Sequence, residues 1–254
     1  MVKLLLLMVE DLINRYNIII PAAGSARRLR PLTDKIPKSM LKVGGLSIIE
    51  RQLINLPKES INKVVIIVGH ESDKLINYVE KLNFNFPISF VENDEYEETN
   101  CAYSLMCASN FFQDIIIINC DLLYSNESLR KLINNDKSAA VCLRDNKAYQ
   151  TDLQKALIKN DNILKWSLNL NQANAEIMGP VKLKENNSRK ILNYFKTLSK
   201  ADQKQKHCFS LFSECINDIN FYPVVVGDNA WYEVDNKSDL EDANKLFRSS
   251  ELLI

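Results

Sequence analysis

The sequence is short of residues that several functional classes require. Only 6 of its 254 residues are glycine and only 2 are histidine. Its 32 lysines and arginines are balanced by 32 aspartates and glutamates, so it lacks the basic excess that general nucleic-acid binding needs. It also lacks an apolar run long enough to span a bilayer. With 46% hydrophobic and 25% charged residues, the composition is that of an ordinary globular protein with a sizeable core.

The six cysteines do not form a zinc-binding pattern. No two of them are spaced as C-x-x-C, and two histidines supply few nitrogen ligands. Most of the cysteines lie in apolar runs, which favours small buried side chains in a reducing, cytoplasmic setting. The six are Cys101, Cys107, Cys120, Cys142, Cys208 and Cys215.

The chain begins with a short apolar stretch that is not typical of a signal peptide. Glu10 and Asp11 follow it directly, without a small-residue cleavage site. We expect residues 1–16 to form a helical N-terminal extension that packs on the body of the protein or on a second subunit. The second arrangement would make the protein a homodimer.

Runs rich in isoleucine and valine alternate with helical stretches in the first half of the chain. Such runs are typical of strands buried on both faces, and the alternation predicts a mostly parallel, Rossmann-like α/β sheet flanked by helices. Ligands bind beyond the carboxyl ends of such strands. The predicted strands are Asn17–Pro21, Lys63–Val68, Ile88–Val91, Ile115–Cys120 and Ala139–Leu143, with helices at Leu46–Leu56 and Ser72–Leu82.

After Leu143 the sequence pattern predicts a more antiparallel arrangement of strands. Turn residues 159–162 between two apolar runs predict a hairpin, and a capping box of Ser238 and Glu241 predicts the start of the last helix. We therefore expect one domain over residues 17–254. The other predicted elements here are strands Glu176–Leu183 and Trp231–Val234 and helices Ser188–Leu198 and Asp202–Ile216.

The segment after the first predicted strand, P-A-A-G-S-A-R-R-L-R-P-L-T-D-K-I-P-K-S-M, is the strongest local signal. Its small residues let the backbone approach a ligand, and successive N–H groups form an anion-binding concavity. Arginines and Lys38 add planar clamps and a point charge, so the segment indicates polyphosphate binding. Neither the Walker loop nor the dinucleotide G-x-G-x-x-G is present. Taken alone, a cluster of arginines and lysines more often belongs to an ordinary solvated loop.

This segment resembles the signature of nucleotidyltransferases with a GT-A-like fold, A-A-G-x-G-x-R-L-x-P-L-T followed by P-K-x-M/L. Ala26 stands where the signature has its second glycine, and the likeness extends from about Asn17 to Phe247. It implies a nucleotide-binding half at residues 17–143 and an acceptor-binding half at residues 144–254. The loop residues that would bind the nucleotide are Ala22, Ala23, Gly24, Ser25, Ala26 and Arg27.

A second stretch, N-D-E-Y-E-E-T-N-C-A-Y-S-L at Asn93–Leu105, is similar to a narrower group within this family. That group contains the CTP:phosphocholine and 2-aminoethylphosphonate cytidylyltransferases. The resemblance implies that Asn100 and Ser104 help to hold the base or the ribose. A structural interpretation, in which Asn100 caps a helix and Ser104 packs inside it, is compatible with the same residues.

Two aspartates are candidate magnesium ligands. Asp121 ends the apolar run I-I-I-I-N-C-D, where a charge is costly unless it is paired or bound to a metal. The resemblance implies that Asp121 and Asp235, the latter in W-Y-E-V-D, bind Mg²⁺. Asp235 alone could instead cap the last helix. Cys120 stands where the family commonly has glycine.

The resemblance implies a Mg²⁺-dependent cytidylyltransferase that transfers CMP from CTP to a small phosphorylated or phosphonate acceptor and releases pyrophosphate. Arg28 would hold the β- and γ-phosphates, and Lys38 would stabilise the transition state at the α-phosphate. Two alternatives remain open: a UTP- or dTTP-dependent sugar-1-phosphate nucleotidyltransferase, and a noncatalytic nucleotide-sensing protein on the same fold.

The acceptor is expected to bind in the second half of the chain. The segment R-D-N-K-A-Y-Q-T-D-L-Q-K and a stretch near Gly179 resemble parts of the phosphonate-type enzymes. A lysine there could meet the acceptor phosphate, and a carboxylate could meet a cationic amine. A solvated charged hairpin explains the first segment equally well. The acceptor-binding candidates are Lys147, Asp152, Lys155 and Glu176.

Overall fold

The computed structural model describes residues 14–144, 153–227 and 230–249. The strands are β1 (Tyr16–Pro21), β2 (Lys42–Val43), β3 (Leu46–Ser47), β4 (Ile61–Val68), β5 (Ile88–Glu92), β6 (Ile115–Ile117), β7 (Leu122–Tyr124), β8 (Ala139–Arg144), β9 (Lys155–Lys159), β10 (Asn162–Ser167), β11 (Ala175–Leu183), β12 (Tyr222–Val225) and β13 (Trp231–Glu233). The helices are α1 (Ile48–Ile54), α2 (Ser72–Lys81), α3 (Cys101–Cys107), α4 (Asn126–Asn134), α5 (Glu185–Thr197), α6 (Lys200–Gln205), α7 (Cys208–Glu214) and α8 (Lys237–Arg248).

The core of the main sheet is parallel and is centred on β1. This strand pairs in parallel with β4 on one side and β6 on the other, and β5 pairs in parallel with β4. Ile18, Ile19 and Ile20 are all fully buried, because consecutive side chains point into the hydrophobic clusters on opposite faces of the sheet. The continuous apolar run of β1 is thus explained by burial on both faces.

The C-terminal part adds antiparallel strands to this core. β11 pairs antiparallel with β6, β8 and β9, and β9 and β10 form the predicted hairpin. β12 returns to a parallel arrangement beside β8. Across the described residues, the sheet runs in the order β10-β9-β11-β6-β1-β4-β5, with β8 on β11 and β12 on β8. The predicted fold class, a mostly parallel sheet with a more antiparallel C-terminal part, is confirmed.

Helices cover both faces of this sheet. One hydrophobic cluster takes its helical residues from α3, α5 and α7, and the other takes them from α1, α2 and α4. The side chains that lie at the centre of these contacts are fully or nearly fully buried, and they include Leu105, Ile191, Leu211, Leu53, Leu75 and Leu132. The result is a three-layer α/β/α arrangement. No helix in the described ranges has the length and apolar character needed to cross a membrane.

Two element boundaries differ from the sequence prediction in ways that matter for the site. The strand predicted to reach Cys120 ends at Ile117, because the chain turns out of the main sheet there and places Asp121 directly before β7. The last helix begins at Lys237, and its capping box is formed by Asn236 and Asp239. The prediction of Ser238 with Glu241 was therefore wrong by two residues.

The helix predicted over 202–216 is two helices, α6 and α7, separated by extended residues Lys206 and His207. The carbonyl oxygens of Lys204 and Lys206 accept hydrogen bonds from the N–H groups of Asn100 (2.7 Å) and Ala102 (3.2 Å). These carbonyls satisfy donors at the start of α3 rather than continuing a helix of their own. The predicted N-terminal extension falls largely on residues 1–13, outside the described residues, while Tyr16 already belongs to β1.

Lys182 is a lysine fully buried in β11, where its Nζ donates to the carbonyl oxygen of Asn135. Burial, assisted by the nearby charge of Lys184, lowers the pKa of Lys182 to about 8. In the unfolded chain the pKa of lysine is about 10.4. Between these values the unfolded chain binds more protons than the folded protein, so this group makes stability rise with pH.

Replacing Lys182 by methionine should remove that dependence. We expect the free energy of unfolding of the wild type to rise by roughly 1–3 kcal/mol relative to Lys182→Met between pH 7.5 and 10. Urea unfolding across this pH range measures the difference. Lys165→Met, at an exposed position of β10, is the matched control and should parallel the wild type; parallel curves for Lys182→Met would contradict the prediction.

Candidate functional site

The loop after β1 is held in place by the turn after β4. The N–H of His70 donates to the carbonyl oxygen of Ala23 (2.8 Å), and the His70 ring nitrogen Nε2 is 2.7 Å from the carbonyl oxygen of Thr33. Gly69 allows this contact, since a Cβ there would lie 2.8 Å from the Ala23 oxygen and 2.9 Å from the Tyr96 ring. His70 therefore positions both ends of the small-residue loop.

Ala26 adopts a left-handed backbone conformation, with φ 48° and ψ 54°. Its carbonyl oxygen accepts hydrogen bonds from the N–H of Leu29 (3.0 Å) and the hydroxyl of Thr33 (3.1 Å). The family signature has glycine at this place, and the conformation explains why: glycine adopts positive φ without the steric penalty of a Cβ. The turn keeps the glycine-type shape although the residue is alanine.

Ala26→Gly should consequently stabilise the protein slightly. The substitution removes the left-handed penalty of about 1 kcal/mol and partly offsets it by loosening the unfolded chain, so we expect a gain of about 0.5 kcal/mol in the free energy of unfolding. Chemical denaturation measures it. Ala22→Gly, at the buried residue that follows β1, is the contrasting variant and should destabilise. A loss of stability in Ala26→Gly would contradict the explanation.

Asp121 is positioned by the turn between β6 and β7. The buried side chain of Gln52 in α1 donates from Nε2 to the carbonyl oxygens of Asn119 and Leu122, both at 2.7 Å. These two bonds clamp the backbone on either side of Asp121. The carboxylate is thereby presented at the carboxyl end of β6, where an open α/β sheet binds its ligand.

Asp235 is brought to the same place by β13 and by the start of α8. β13 pairs antiparallel with β7, and the N–H of Val234 donates to the carbonyl oxygen of Asp121 (3.0 Å). The carboxylate of Asp239 accepts hydrogen bonds from the N–H groups of Asp235 (2.8 Å) and Asn236 (2.9 Å). Asn236, rather than Asp235, caps the helix, which leaves the Asp235 carboxylate available to the site.

Lys38 joins the two aspartates. Its Nζ lies 2.8 Å from Asp121 Oδ2 and 2.7 Å from Asp235 Oδ1. Burial opposes the lysine charge, but the two carboxylates outweigh it and raise the pKa of Lys38 above its ordinary value. Arg28 approaches from the solvent side, 2.8 Å from Asp235 Oδ2. Although burial acts the other way, Lys38 and Arg28 together hold the pKa of Asp235 below its usual range.

A third carboxylate, Glu233, was missed by the sequence analysis. Side-chain oxygens of Asp121, Glu233 and Asp235 all lie within 4.8 Å of one another. Burial and the two aspartate charges raise the pKa of Glu233 well above its ordinary value. The signal was present, since residues two apart on a strand point to the same side and W-Y-E-V-D places Glu233 two residues before Asp235.

The donor set suits a hard divalent cation. Asp121 Oδ1 is buried and has no hydrogen-bond partner among the described residues, which is unfavourable for a carboxylate oxygen unless a cation approaches it. Carboxylate oxygens together with water and substrate phosphate are the ligands that Mg²⁺ prefers. The residues present therefore fit a magnesium ion.

These groups open into a cavity of about 410 Å³, which we call the central cavity. Of the sequence-predicted residues it is lined by Ala23, Gly24, Ala26, Arg28, Lys38, Asn100, Ser104, Asp121 and Asp235. Residues that the sequence analysis did not assign also line it: Pro21, Tyr96, Thr99, Cys101, Asn119, Cys120, His207, Cys208, Phe209 and Glu233. Ala22, Ser25 and Arg27 belong to the same loop but are not among the lining residues.

Asn100 and Ser104 have structural contacts as well as a place on the cavity wall. Asn100 caps α3, accepting a hydrogen bond from the N–H of Cys101 (2.8 Å). Ser104 is buried, and its hydroxyl accepts a hydrogen bond from Asn93 Nδ2 (2.9 Å). The same Asn93 group donates to the Thr99 hydroxyl (3.0 Å), so the loop before α3 is tied to the helix.

Of the four acceptor-binding candidates, Lys155 and Glu176 lie in the described part of the chain. Lys147 and Asp152 lie outside the described residues. Glu176 is fully buried in β11 and forms a salt bridge with Arg144, whose Nε and Nη2 are each 2.7 Å from Glu176 Oε2. Lys155 is half-buried in β9, in register with Glu176. Neither Lys155 nor Glu176 lines the central cavity.

Comparison with known proteins agrees with this geometry. A CTP:phosphoglutamine cytidylyltransferase from Campylobacter jejuni is 28% identical over 250 residues, covering 89% of this chain and 98% of that protein. A choline-phosphate cytidylyltransferase from Streptococcus pneumoniae is 23% identical over 235 residues, covering 91% and 98%. The structure of the inositol-1-phosphate CTP transferase from T. maritima has a similar fold, with a TM-score of 0.79 at 18% identity over 92% of this chain and 95% of that one.

The family model for nucleotidyl transferases matches residues 17–163. This range covers more than half of the chain and includes the small-residue loop, Lys38, Asn100 and Asp121. The second carboxylate strand, β13, lies beyond it and joins the site through β7. On the strength of the family match and of this arrangement of basic and acidic groups, the chain belongs to the nucleotidyl transferase family and is a nucleotidyltransferase.

Proposed function

We propose that this protein is a Mg²⁺-dependent cytidylyltransferase that transfers CMP from CTP to a small phosphorylated amine or alcohol and releases pyrophosphate. The observation that carries the proposal is the convergence of Asp121 and Asp235 on Lys38 at 2.8 and 2.7 Å. These carboxylates come from strand ends 114 residues apart, and they meet beside the loop that could receive a triphosphate.

The side chains of the cavity divide the work of phosphoryl transfer. Exposed Arg28 is free to turn from Asp235 towards the β- and γ-phosphates, where a planar guanidinium binds two oxygens at once. Lys38 stays protonated throughout the neutral range and can place its charge on the α-phosphate as negative charge develops there. A phosphate acceptor is already ionised at neutral pH, so the residues need to align it rather than to remove a proton.

Asp121 and Asp235, with Glu233 beside them, would hold the magnesium ion. When bound there, Mg²⁺ neutralises phosphate charge and orients oxygens for in-line displacement. In the structure described here Lys38 and Arg28 neutralise the two aspartates. With a cation held by the carboxylates, both basic side chains would be available to phosphate.

The nucleotide and acceptor are inferred from the related cytidylyltransferases. Both named relatives use CTP-type chemistry on a phosphorylated small molecule, phosphoglutamine in one and choline phosphate in the other. Tyr96, Thr99, Asn100 and Ser104 line the side of the cavity next to the small-residue loop, where they could contact the base and ribose. Phe209 and His207 line the cavity close to α7, where the acceptor could lie.

Pyrophosphate release with Mg²⁺ tests the proposal. Each of the four NTPs is paired with phosphoglutamine, phosphocholine, phosphoethanolamine, 2-aminoethylphosphonate, inositol 1-phosphate and hexose 1-phosphates. We expect release with CTP and one of the non-sugar acceptors. Preference for UTP or dTTP with a hexose 1-phosphate would replace the proposal by sugar-nucleotide synthesis. Binding of a nucleotide without release for any pair would favour the noncatalytic sensor.

A further inference from the structure

Two cysteines meet on the wall of the central cavity, outside the phosphate- and metal-binding groups. Cys101 is the first residue of α3 and Cys208 is the first residue of α7. The N–H of Cys208 donates to Cys101 Sγ at 3.0 Å, so the two cysteines are in direct contact. Both residues line the cavity, so a small solute that enters it reaches this pair.

His207 is the third member of this cluster. The hydrogen bonds around it show which ring nitrogen carries the proton. Asn100 Oδ1 accepts from the N–H of Cys101 (2.8 Å), which directs Asn100 Nδ2 towards His207 Nε2 at 2.9 Å. Since Nδ2 can only donate, Nε2 is the acceptor and the ring proton lies on Nδ1. Interaction with the Cys101 thiol raises the pKa of His207, although burial acts the other way. With Nε2 engaged by Asn100, Nδ1–H is the donor available to that sulfur.

The Cys101 sulfur is therefore surrounded by donors, and this favours its thiolate form. The hydrogen bond from the Cys208 thiol, with those from His207 and the Cys208 N–H, outweighs burial and lowers the pKa of Cys101 to about 5. The same hydrogen bond and its own burial raise the pKa of the Cys208 thiol well above its ordinary value. The Cys101 sulfur is therefore the nucleophile, and Cys208 remains a thiol that can donate its proton.

The other charged groups nearby are paired elsewhere and do not reverse this assignment. Lys204 forms salt bridges with Glu95 and Glu98. Lys206 lies 2.9 Å from Glu214 Oε1. The titratable side chains that face the Cys101 sulfur from α7 and its preceding residue are Cys208 and His207.

We propose that Cys101 and Cys208 form a redox-active dithiol on the wall of the central cavity, which a hydroperoxide converts to a disulfide between α3 and α7. The Cys101 thiolate attacks one peroxide oxygen, the O–O bond breaks, and the leaving oxygen takes a proton to give water or an alcohol. The sulfur of Cys208 then attacks the sulfenic acid at Cys101, the S–S bond forms, and the hydroxyl group leaves with the Cys208 proton as water. Two electrons pass from the thiols to the peroxide.

Peptide mapping of the full chain after exposure to hydrogen peroxide tests this assignment. Free thiols are blocked with iodoacetamide before digestion, and we expect the peptide linked through Cys101 and Cys208 to be the main oxidised product. In Cys208→Ser the link is absent, and dimedone should instead trap a sulfenic acid at Cys101. Cys107→Ser is the matched control, because Cys107 lies on the same helix but does not line the cavity; its link should form at the wild-type rate.

The variant His207→Gln tests whether formation of the disulfide depends on activation of the Cys101 thiolate or only on the proximity of the two cysteines. At pH 6.5 we expect the link to form at least about fivefold more slowly in this variant, because less Cys101 is ionised when the histidine donor is lost. Recovery of Cys101 fully alkylated after peroxide treatment of the wild type would overturn the proposal. So would equal or faster oxidation of Cys107. The mass measurement does not use the transferase reaction, so its outcome is independent of the substrate proposal.

Discussion

Turnover should fall by a factor on the order of a thousand or more when Asp121 is replaced by asparagine. The change removes one of the carboxylates that would hold the cation, and with it several kcal/mol of charge stabilisation in the transition state. Pyrophosphate release at saturating nucleotide and acceptor measures the loss. The effect should appear in kcat as well as in kcat/KM, because the cation stabilises charge that develops during the reaction.

The fold of Asp121→Asn should persist. Lys38 retains Asp235 as a partner at 2.7 Å, and Gln52 holds the backbone on both sides of residue 121. Asp73→Asn, at an exposed position of α2, is the matched control and should keep wild-type turnover. Full activity of Asp121→Asn, with thermal unfolding unchanged, would refute the role of this carboxylate in binding the cation.

Lys38→Met should damage both activity and stability, and the second effect should depend on divalent cations. Without the ammonium group, three carboxylates within 4.8 Å of one another lose their main positive partner. Breaking a buried pair costs about 3–5 kcal/mol; since the aspartates are partly exposed here, we expect a loss of about 2 kcal/mol in the free energy of unfolding. Turnover should fall by a factor of about 10²–10³.

Millimolar Mg²⁺ should raise the melting temperature of Lys38→Met by several degrees more than that of the wild type, because the ion replaces the missing charge. Lys42→Met, at an exposed position of β2, is the matched control and should keep both the wild-type melting temperature and the wild-type response to Mg²⁺. Equal effects of Mg²⁺ on wild type and Lys38→Met would argue that Asp121, Glu233 and Asp235 do not form a cation site. This readout needs no knowledge of the substrate.

The parallel core could be predicted because strands that are buried on both faces have nearly continuous apolar sequences. The runs predicted as strands at residues 17–21, 63–68 and 115–120 are rich in isoleucine and valine, and they contain most or all of β1, β4 and β6. Asp121 stood out for the same physical reason, as a charge that ends an apolar run. The nucleotide loop was predicted from its small residues and arginines, with the family resemblance supplying the identity of the ligand.

Other features depended on contacts between distant segments and were not visible locally. The break between α6 and α7 exists because two carbonyls of that segment serve the start of α3, which is about 100 residues earlier in the chain. The pairing of Glu176 with Arg144 joins β11 to β8, so no local pattern indicated that this carboxylate is already engaged. The predicted roles of Lys147, Asp152 and Lys155 in acceptor binding stay predictions.

The antiparallel pairing of β7 with β13 determines when the two aspartates can meet during folding. These two strands join residues 122–124 to residues 231–233, a contact that closes a long loop and is slow to form on that account. At a ribosomal rate of about 5–20 residues per second, Asp235 emerges roughly 6–23 seconds after Asp121. The nascent chain can assemble the parallel core around β1 during that interval, but its carboxylate pair is completed only when β13 arrives. A chain halted before β13 would therefore have a formed sheet and no assembled active site.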